Sequence, residues 1–212
     1  DGDNVTSMGI DTWGVDYGYL DKSGTLLSNP YHYRDVRTGD IQDYVFNKYA
    51  PKAEIYKATG IQSMNFNTIY QIAADLRDRP WVVENAESLL HMPDLLGYML
   101  TGKKASEYTI ASTGALLDAR ERDYARDIIA KFGIPERLFC DIVQPGYNLG
   151  KLLPSIEEET GFTGADVIKV ASHDTASAVA AVPTQEKDFV FISCGTWSLF
   201  GTELSEPMIS DK

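Results

Sequence analysis

The stretch Val167-Ile168-Lys169-Val170-Ala171-Ser172-His173-Asp174-Thr175-Ala176-Ser177-Ala178 is an apolar run that ends in small polar residues. A second apolar run, Phe189-Val190-Phe191-Ile192, ends in Ser193-Cys194-Gly195-Thr196-Trp197-Ser198. Both runs have the length and composition of buried strands, and α/β proteins bind their ligands where such strands end. The two endings therefore predict an α/β fold with a site near Asp174 and the Gly195-Thr196 turn.

The composition limits the class of protein. The chain has 212 residues, enough for one sizeable core or for parts of two domains. Its formal net charge of -12 argues against a nucleic-acid-binding surface, which needs clustered Lys and Arg. No apolar run approaches the length of a membrane span. The two cysteines, far apart, and the lack of a signal-like start are typical of a reduced, cytoplasmic protein.

The hydrophobic pattern predicts helices in the middle of the chain and strands at both ends. Residues 6–20 are rich in β-branched and aromatic types, and a turn at 21–24 lets 25–27 pair back as a hairpin. A β-α-β unit ends the chain. Strands around a helical block fit an α/β protein with a helical insertion, and 183–188 is the best candidate for a domain boundary. The predicted helices are 41–49, 52–58, 68–77, 81–85, 93–102, 107–114 and 122–132.

Asp174 has two interpretations. As a general base, its carboxylate would accept a proton from a substrate hydroxyl that attacks a γ-phosphoryl group. As a helix N-cap, Ser172 or Asp174 would begin the helix that follows. Local sequence alone favours the cap, although the small residues after Asp174 would also let a ligand approach closely.

The Gly195-Thr196 pair also has two interpretations. Small residues between two strands leave backbone N–H groups free to face a phosphate, and glycine permits the φ values that such an anion nest requires. The alternative is an ordinary hairpin turn, and the residues alone do not decide between the two. Trp197 is better explained by hydrophobic packing than by stacking on an adenine.

The segment Gly9-Ile10-Asp11-Thr12-Trp13-Gly14-Val15-Asp16 is a candidate sugar-binding strand. Aromatic faces cover the C–H surfaces of sugars, while carboxylates and the open backbone at Gly14 bind their hydroxyls. The alternative is a strand with a bulge at Gly14 and with solvated Asp11 and Asp16.

The histidines and several missing motifs narrow the chemistry. His32, His91 and His173 have no metal-ligand spacing, and we predict no metal ligands among the side chains. His91 is interpreted as structural and His173 as substrate-facing. The absence of Gly-x-x-x-x-Gly-Lys-Ser/Thr, Gly-x-Gly-x-x-Gly and Gly-x-Ser-x-Gly argues against a P-loop kinase, a dinucleotide-binding protein and an α/β-hydrolase.

With these residues in view, the chain resembles the FGGY carbohydrate kinases over nearly its whole length. Each motif is weak alone, whereas seven in order are highly specific. The Trp13-Gly14 pair and the His173–Ala178 run are most similar to the branch that phosphorylates L-rhamnulose. The seven motifs are Gly9–Asp16, Tyr33–Thr38, Thr59–Gln62, Phe66–Gln71, Met92–Asp94, Ala171–Ala178 and Ser193–Ser198.

The resemblance implies an actin-like ATPase fold, in which two ribonuclease-H-like domains close over a cleft. It implies transfer of the γ-phosphoryl group of ATP, with Mg²⁺, to L-rhamnulose or a similar ketose, giving L-rhamnulose 1-phosphate. By this match Asp174 is the catalytic base, which outweighs its N-cap interpretation. Gly195 and Thr196 match contacts to the ATP phosphates, and His173 and the Gly14 backbone match sugar contacts. The candidate sugar ligands are Asp11, Trp13, Gly14, Asn67 and His173.

The family pattern extends beyond this sequence. It begins with a strand and a glycine-rich phosphate-binding turn and ends with most of a second domain. We therefore expect residues 1–184 to be most of the first, sugar-binding domain without its opening strands, and residues 185–212 to be the first strands of the second, ATP-binding domain. Such a fragment is expected to be inactive alone. The alternatives are an FGGY kinase for another ketose, such as L-fuculose or L-xylulose, or a non-catalytic sugar-binding module.

Overall fold

The computed structural model of the chain describes residues 5–186 and 188–210. Residues 1–4, 187 and 211–212 lie outside the described residues. They are the first residues of the predicted sugar-binding domain, Lys187 in the predicted domain boundary, and the last residues of the predicted ATP-binding domain. The helices are α1 (Ile41–Lys48), α2 (Lys52–Thr59), α3 (Thr68–Asp78), α4 (Pro80–Asn85), α5 (Met92–Thr101), α6 (Tyr108–Ser112), α7 (Arg126–Phe132), α8 (Pro154–Thr160) and α9 (Asp174–Ala180). The strands are β1 (Ser7–Met8), β2 (Tyr17–Leu20), β3 (Ser88–His91), β4 (Ser106–Glu107), β5 (Leu117–Asp118), β6 (Asp123–Tyr124), β7 (Ile142–Val143), β8 (Asn148–Lys151), β9 (Asp166–Ile168), β10 (Val190–Cys194) and β11 (Ser198–Thr202).

The predicted helical block is present, and most of its helices begin and end within a few residues of the predicted bounds. The helix predicted over 122–132 is wrong in its first turn, because β6 occupies part of it and pairs antiparallel with β5. Arg122 has a φ of 56°, in the left-handed region, where a right-handed helix cannot continue. Helix α7 therefore begins only at Arg126.

The strand predicted over 6–20 is divided into β1 and β2. The predicted hairpin is confirmed, since Leu20 bridges Leu26 and the Leu27 N–H donates to the Tyr19 carbonyl at 3.0 Å. The main partner of β2 is β3, which pairs antiparallel with it and places Tyr17 opposite His91. Strand β3, a short buried strand that runs directly into helix α5, was not predicted.

Strand β9 lies at the centre of a three-stranded sheet of order β1-β9-β8. It is parallel to β1 and antiparallel to β8. The predicted final β-α-β unit is present as β9, α9 and β10 in chain order. However, β10 pairs antiparallel with β11, and the described residues do not place it in the sheet of β9.

A buried ion pair fixes the segment that follows β9. The ammonium of Lys169 pairs with the carboxylate of Asp94 on helix α5, and both side chains are almost fully buried. Burial raises the pKa of Asp94 to about 6, although the charge of Lys169 acts in the opposite direction. The pair explains how a lysine is accommodated inside the apolar run at 167–171, because an unpaired buried ammonium would be strongly unfavourable.

Among the described residues, no helix combines the length and the apolar composition that crossing a bilayer requires.

Candidate active site

Two segments that are distant in the sequence meet at a parallel backbone bridge between Thr12 and His173. The Thr12 N–H donates to the Ser172 carbonyl at 3.0 Å, and the Asp174 N–H donates to the Thr12 carbonyl at 2.9 Å. The bridge therefore places residues 9–16, the candidate sugar strand, beside the candidate base, Asp174. Of the predicted site residues, Asp11, Trp13, Gly14, His173 and Asp174 lie within two residues of this bridge along the chain, whereas Asn67, Gly195 and Thr196 do not.

Asp174 is the first residue of helix α9, and its side chain is 56% exposed. The predicted N-cap at Ser172 or Asp174 is wrong, because His173 occupies the N-cap position. Ser172 is buried, and its hydroxyl donates to the Val170 carbonyl instead. The Asp174 Oδ1 accepts a hydrogen bond from the Thr175 N–H at 2.6 Å. The carboxylate is thus held locally and stays accessible to a ligand.

His173 lies half-buried next to the candidate base. Its Nε2 is 3.5 Å from the Asp174 Oδ1. Burial lowers the pKa of His173, and the nearby carboxylates of Asp174 and Glu107 oppose that shift. The ring is therefore mostly neutral near pH 7 and can donate a hydrogen bond from one nitrogen and accept one at the other.

The bulge predicted at Gly14 is wrong, because the chain makes a three-residue γ-turn centred on Val15 there. The Asp16 N–H donates to the Gly14 carbonyl at 2.9 Å, and Val15 has a φ of 69°. A β-branched residue adopts such a φ only when its surroundings hold it there. The Thr113 hydroxyl accepts from the Val15 N–H at 3.0 Å, and the Thr68 hydroxyl donates to the Val15 carbonyl at 2.8 Å.

Glycine is required at position 14 because of the same neighbour. A Cβ on Gly14 would lie 3.0 Å from three atoms of the Thr113 side chain, closer than ordinary van der Waals contact. The absence of a side chain thus lets the strand approach helix α6 and its C-terminal end.

Asp16 is buried and orients the candidate sugar strand. Its carboxylate accepts hydrogen bonds from the Trp13 Nε1 at 2.7 Å, the Tyr33 N–H at 3.1 Å and the Gln71 Nε2 at 3.2 Å. Burial raises its pKa, and these donors act in the opposite direction. The interpretation of both acidic residues as solvated is wrong for Asp16, whereas Asp11 is exposed.

Five rings form a continuous aromatic wall beside the bridge. Trp13, which is 41% exposed, lies 6.2 Å from His32, and His32 lies 4.4 Å from Tyr33. Tyr33 lies 5.4 Å from Phe66, and Phe66 lies 6.0 Å from Trp197. The Trp197 Nε1 also donates to the Tyr33 hydroxyl at 3.4 Å. The wall connects the candidate sugar strand with the tip of the β10–β11 hairpin.

Gly195 and Thr196 form the exposed tip of that hairpin. The Gly195 N–H donates to the Trp197 carbonyl at 2.8 Å, and Gly195 is not among the glycines with positive φ. The segment is therefore a hairpin turn, and the left-handed φ expected for an anion nest is not formed at Gly195. Apart from its chain neighbours, no described heavy atom lies within 4 Å of the position a Cβ of Gly195 would take. The tip is open to an approaching group.

Both polar atoms of the Asn67 side chain are hydrogen-bonded within the protein. It is buried, its Oδ1 accepts from the Met64 N–H at 2.8 Å, and its Nδ2 donates to the Thr113 carbonyl at 3.3 Å. The second of these bonds holds Thr113, whose hydroxyl supports the Val15 turn. A direct sugar contact from Asn67 stays a prediction, and the structure gives its amide a supporting task.

Sequence analysis missed three residues that organise this site: Asp16 as a buried acceptor, Glu107, and Thr113. Glu107 caps helix α6 and also accepts a hydrogen bond from the Ser172 N–H at 3.0 Å. The partners are far apart in the chain, so local pattern does not reveal them. The one local signal was the position of Glu107 at the start of a hydroxyl-rich segment that predicts a helix.

The family model for the N-terminal domain of the FGGY family of carbohydrate kinases matches residues 1–181. The chain belongs to this family. The rhamnulokinase of Bacteroides thetaiotaomicron is 44% identical to this FGGY chain over 209 residues, which are 99% of the chain and 43% of the relative. The rhamnulokinase of Oceanobacillus iheyensis is 43% identical, over 97% of the chain and 43% of the relative. The FGGY chain thus spans less than half the length of these relatives.

Solved structures agree on the fold. A xylulose kinase from Lactobacillus acidophilus superimposes with a TM-score of 0.85 at 18% identity, covering 95% of this FGGY chain and 41% of the other. A carbohydrate kinase from Novosphingobium aromaticivorans superimposes with a TM-score of 0.83 at 25% identity, covering 99% and 45%. These similarities confirm the predicted α/β fold of the actin-like ATPase class.

Proposed function

We propose that this chain carries the sugar-binding part and the catalytic base of an ATP-dependent kinase that converts L-rhamnulose to L-rhamnulose 1-phosphate. The observation that supports this most is the Thr12–His173 bridge, which brings the exposed Asp174 carboxylate beside the candidate sugar strand. The rhamnulokinase relatives support the choice of sugar.

The chemistry assigned to the chain is positioning and proton transfer. Asp174 orients the sugar's terminal hydroxyl and accepts its proton as the oxygen attacks the γ-phosphorus and the bond to ADP breaks. The neutral His173 and the exposed Asp11 exchange hydrogen bonds with other hydroxyls. The face of Trp13, fixed through Asp16, covers the C–H surface of the sugar.

The hairpin tip is suited to the phosphates of ATP. The open space at Gly195 and the exposed Thr196 leave room for a bulky anion, and Trp197 anchors the tip to the aromatic wall. When bound, ATP supplies the transferred group and Mg²⁺ neutralises its charge. Thr196, beside the open space at Gly195, would hold the phosphates.

The domain assignment is part of the proposal. Residues 1–184 make up most of the sugar-binding domain, and residues 185–212 begin the ATP-binding domain. The family-model match over residues 1–181 supports this division. As an enzyme of sugar metabolism, the protein would act in the cytoplasm.

Replacement of the base is the direct test. In the protein encoded by the complete gene, Asp174→Ala should lower kcat by about 10²–10⁴-fold, the range for loss of a general base. The KM for L-rhamnulose should change little, because other residues bind the sugar. ADP release in a coupled spectrophotometric assay measures both.

The matched control is Asp21→Ala, since Asp21 is a partly exposed carboxylate that also accepts hydrogen bonds in a loop. It should leave turnover unchanged. Turnover by Asp174→Ala near that of the unsubstituted enzyme would remove Asp174 from the base role. Faster phosphorylation of L-fuculose or L-xylulose than of L-rhamnulose would overturn the choice of sugar, and sugar binding without any ADP release would favour a non-catalytic binding module.

A further inference from the structure

Glu107 is a fully buried carboxylate, with 0% of its surface exposed. Its Oε1 accepts from the Thr109 N–H at 2.9 Å, and its Oε2 accepts from the Thr109 hydroxyl at 2.6 Å and the Ile110 N–H at 3.1 Å. These bonds cap helix α6. A fourth bond, from the Ser172 N–H to Oε2 at 3.0 Å, leaves the helix and crosses to the segment that carries the candidate base.

Thr109 makes a second connection between the same two elements. Its hydroxyl donates to the Glu107 Oε2 and accepts from the His173 N–H at 3.1 Å. The Asp174 N–H, next in the chain, donates to the Thr12 carbonyl. The backbone N–H groups of Ser172, His173 and Asp174 are therefore all hydrogen-bonded to residues outside this segment. Their acceptors belong to Glu107, Thr109 and Thr12, respectively. A loop held only by its own local hydrogen bonds would lack these restraints.

The backbone of Glu107 is anchored as well. Its N–H donates to both carboxylate oxygens of Asp94 at 3.3 Å, and Asp94 pairs with Lys169. Lys169 lies only three residues before Ser172. The chain on either side of the Glu107–Ser172 bond is thus fixed to one buried polar cluster, so that bond has little freedom to move.

We propose that Glu107 and Thr109 are positioning residues for phosphoryl transfer, which set where the Asp174 carboxylate stands relative to the sugar hydroxyl. The inference rests on the proposed function. Helix capping alone would use the bonds to the Thr109 and Ile110 N–H groups. The bonds to Ser172 and His173 add nothing to the cap, but they fix the backbone that leads into Asp174. A displacement of about 1 Å in a catalytic group lowers a rate by about 10²-fold.

Thr109→Val is the sharpest test, because valine keeps the shape of threonine and removes the hydroxyl. In the protein encoded by the complete gene, kcat should fall by about 10–100-fold. The KM for ATP should stay the same and the KM for L-rhamnulose should change by less than about threefold, since rate depends more steeply on the base position than binding does. Thr109→Ser, which keeps the hydroxyl, should restore most of kcat.

Thr160→Val is the matched control. The Thr160 hydroxyl also donates to a carbonyl and accepts from an N–H, but both bonds are local to the C-terminal end of helix α8. It should leave kcat unchanged. If Thr109→Val fails to fold, Glu107→Gln is the second variant: its amide cannot accept at both positions, so kcat should again fall without a matching rise in KM.

A second measurement separates this inference from the proposed function. Amide hydrogen exchange at His173 should be faster in Thr109→Val and return to normal in Thr109→Ser. Faster exchange with an unchanged kcat would overturn the positioning role alone. Equal losses of kcat in Thr109→Val and Thr109→Ser, or a tenfold rise in sugar KM at constant kcat, would also overturn it. Failure of the unsubstituted enzyme to phosphorylate any sugar would overturn the proposed function, and the positioning role with it.

Discussion

At the scale of single residues, His91 shows how burial creates a pH dependence. The ring is buried, and its Nδ1 finds no hydrogen-bond partner among the described residues. Burial lowers the pKa of His91 to about 4, and Lys169 adds to the shift. Because the unfolded chain binds this proton more readily, protonation between pH 6.5 and about 4 favours unfolding. The interpretation of His91 as structural agrees with its burial.

The effect of His91 is measured as a difference in unfolding free energy between two proteins, because Asp94 also titrates in this range. Burial raises the pKa of Asp94, so its own contribution changes with pH in the opposite direction. The free energy of unfolding of the native chain, minus that of His91→Gln, should decrease as the pH falls from 6.5 to about 4. Its slope should approach about 1.4 kcal/mol per pH unit in that window. Urea unfolding at several pH values measures it. A difference that stays constant with pH would mean that His91 binds its proton equally well in the folded and unfolded chains.

At the scale of secondary structure elements, Asp75 joins helix α3 to its neighbours. Its carboxylate is buried and pairs with Arg37 and Arg79, each at 2.7 Å. It also accepts from the Tyr17 hydroxyl at 2.7 Å and the Tyr19 hydroxyl at 3.2 Å. One side chain thus holds strand β2, the arginine at 37 and the end of the helix together.

Asp75→Asn should lower the free energy of unfolding by about 3–5 kcal/mol, because it leaves two arginine side chains without their buried counter-charge. The matched control is Asp78→Asn, one turn later, whose partner Arg77 lies at 2.8 Å on the surface. That change should cost about 1 kcal/mol or less. Urea unfolding with an unchanged m-value measures both. Similar losses in the two variants would show that the Asp75 cluster contributes no more than a surface pair.

Some elements and residues of this protein could be predicted from the sequence, whereas others could not. Most helices were predictable because their apolar positions repeat with the period of one turn, as on α3, whereas the short, Glu-rich α8 was not predicted. Strand β3 was not, since four consecutive buried residues have no alternation to recognise. Residue type and motif predict the roles of Asp174 and Trp13, and those roles stay predictions. Glu107 and Asp16 were not, because their function depends on partners up to 65 residues away.

At the scale of the whole molecule, the β10–β11 hairpin presents a row of apolar side chains to solvent. Val190, Ile192 and Phe200 are each more than 60% exposed among the described residues. The described part of the proposed ATP site consists of the tip of this hairpin. The relatives, in which the match covers 43% of the length, have further chain to place around such a strand pair.

We expect the isolated 212-residue chain to release no measurable ADP with ATP, Mg²⁺ and L-rhamnulose, because a single hairpin tip cannot hold a triphosphate in line with the sugar. The protein encoded by the complete gene, assayed in parallel, is the reference. Sugar-dependent ADP release by the isolated chain at a rate similar to that reference would show that these residues suffice for the reaction.

The bridge between Thr12 and His173 has a consequence for redesign. Its two hydrogen bonds join main-chain atoms, so they do not depend on which side chains stand at these positions. Under the proposed function, residues 11, 13 and 173 can be exchanged in a library that seeks new sugar preferences while these main-chain bonds still hold the backbone of Asp174. Selectivity and reactivity are, at this junction, separately adjustable properties.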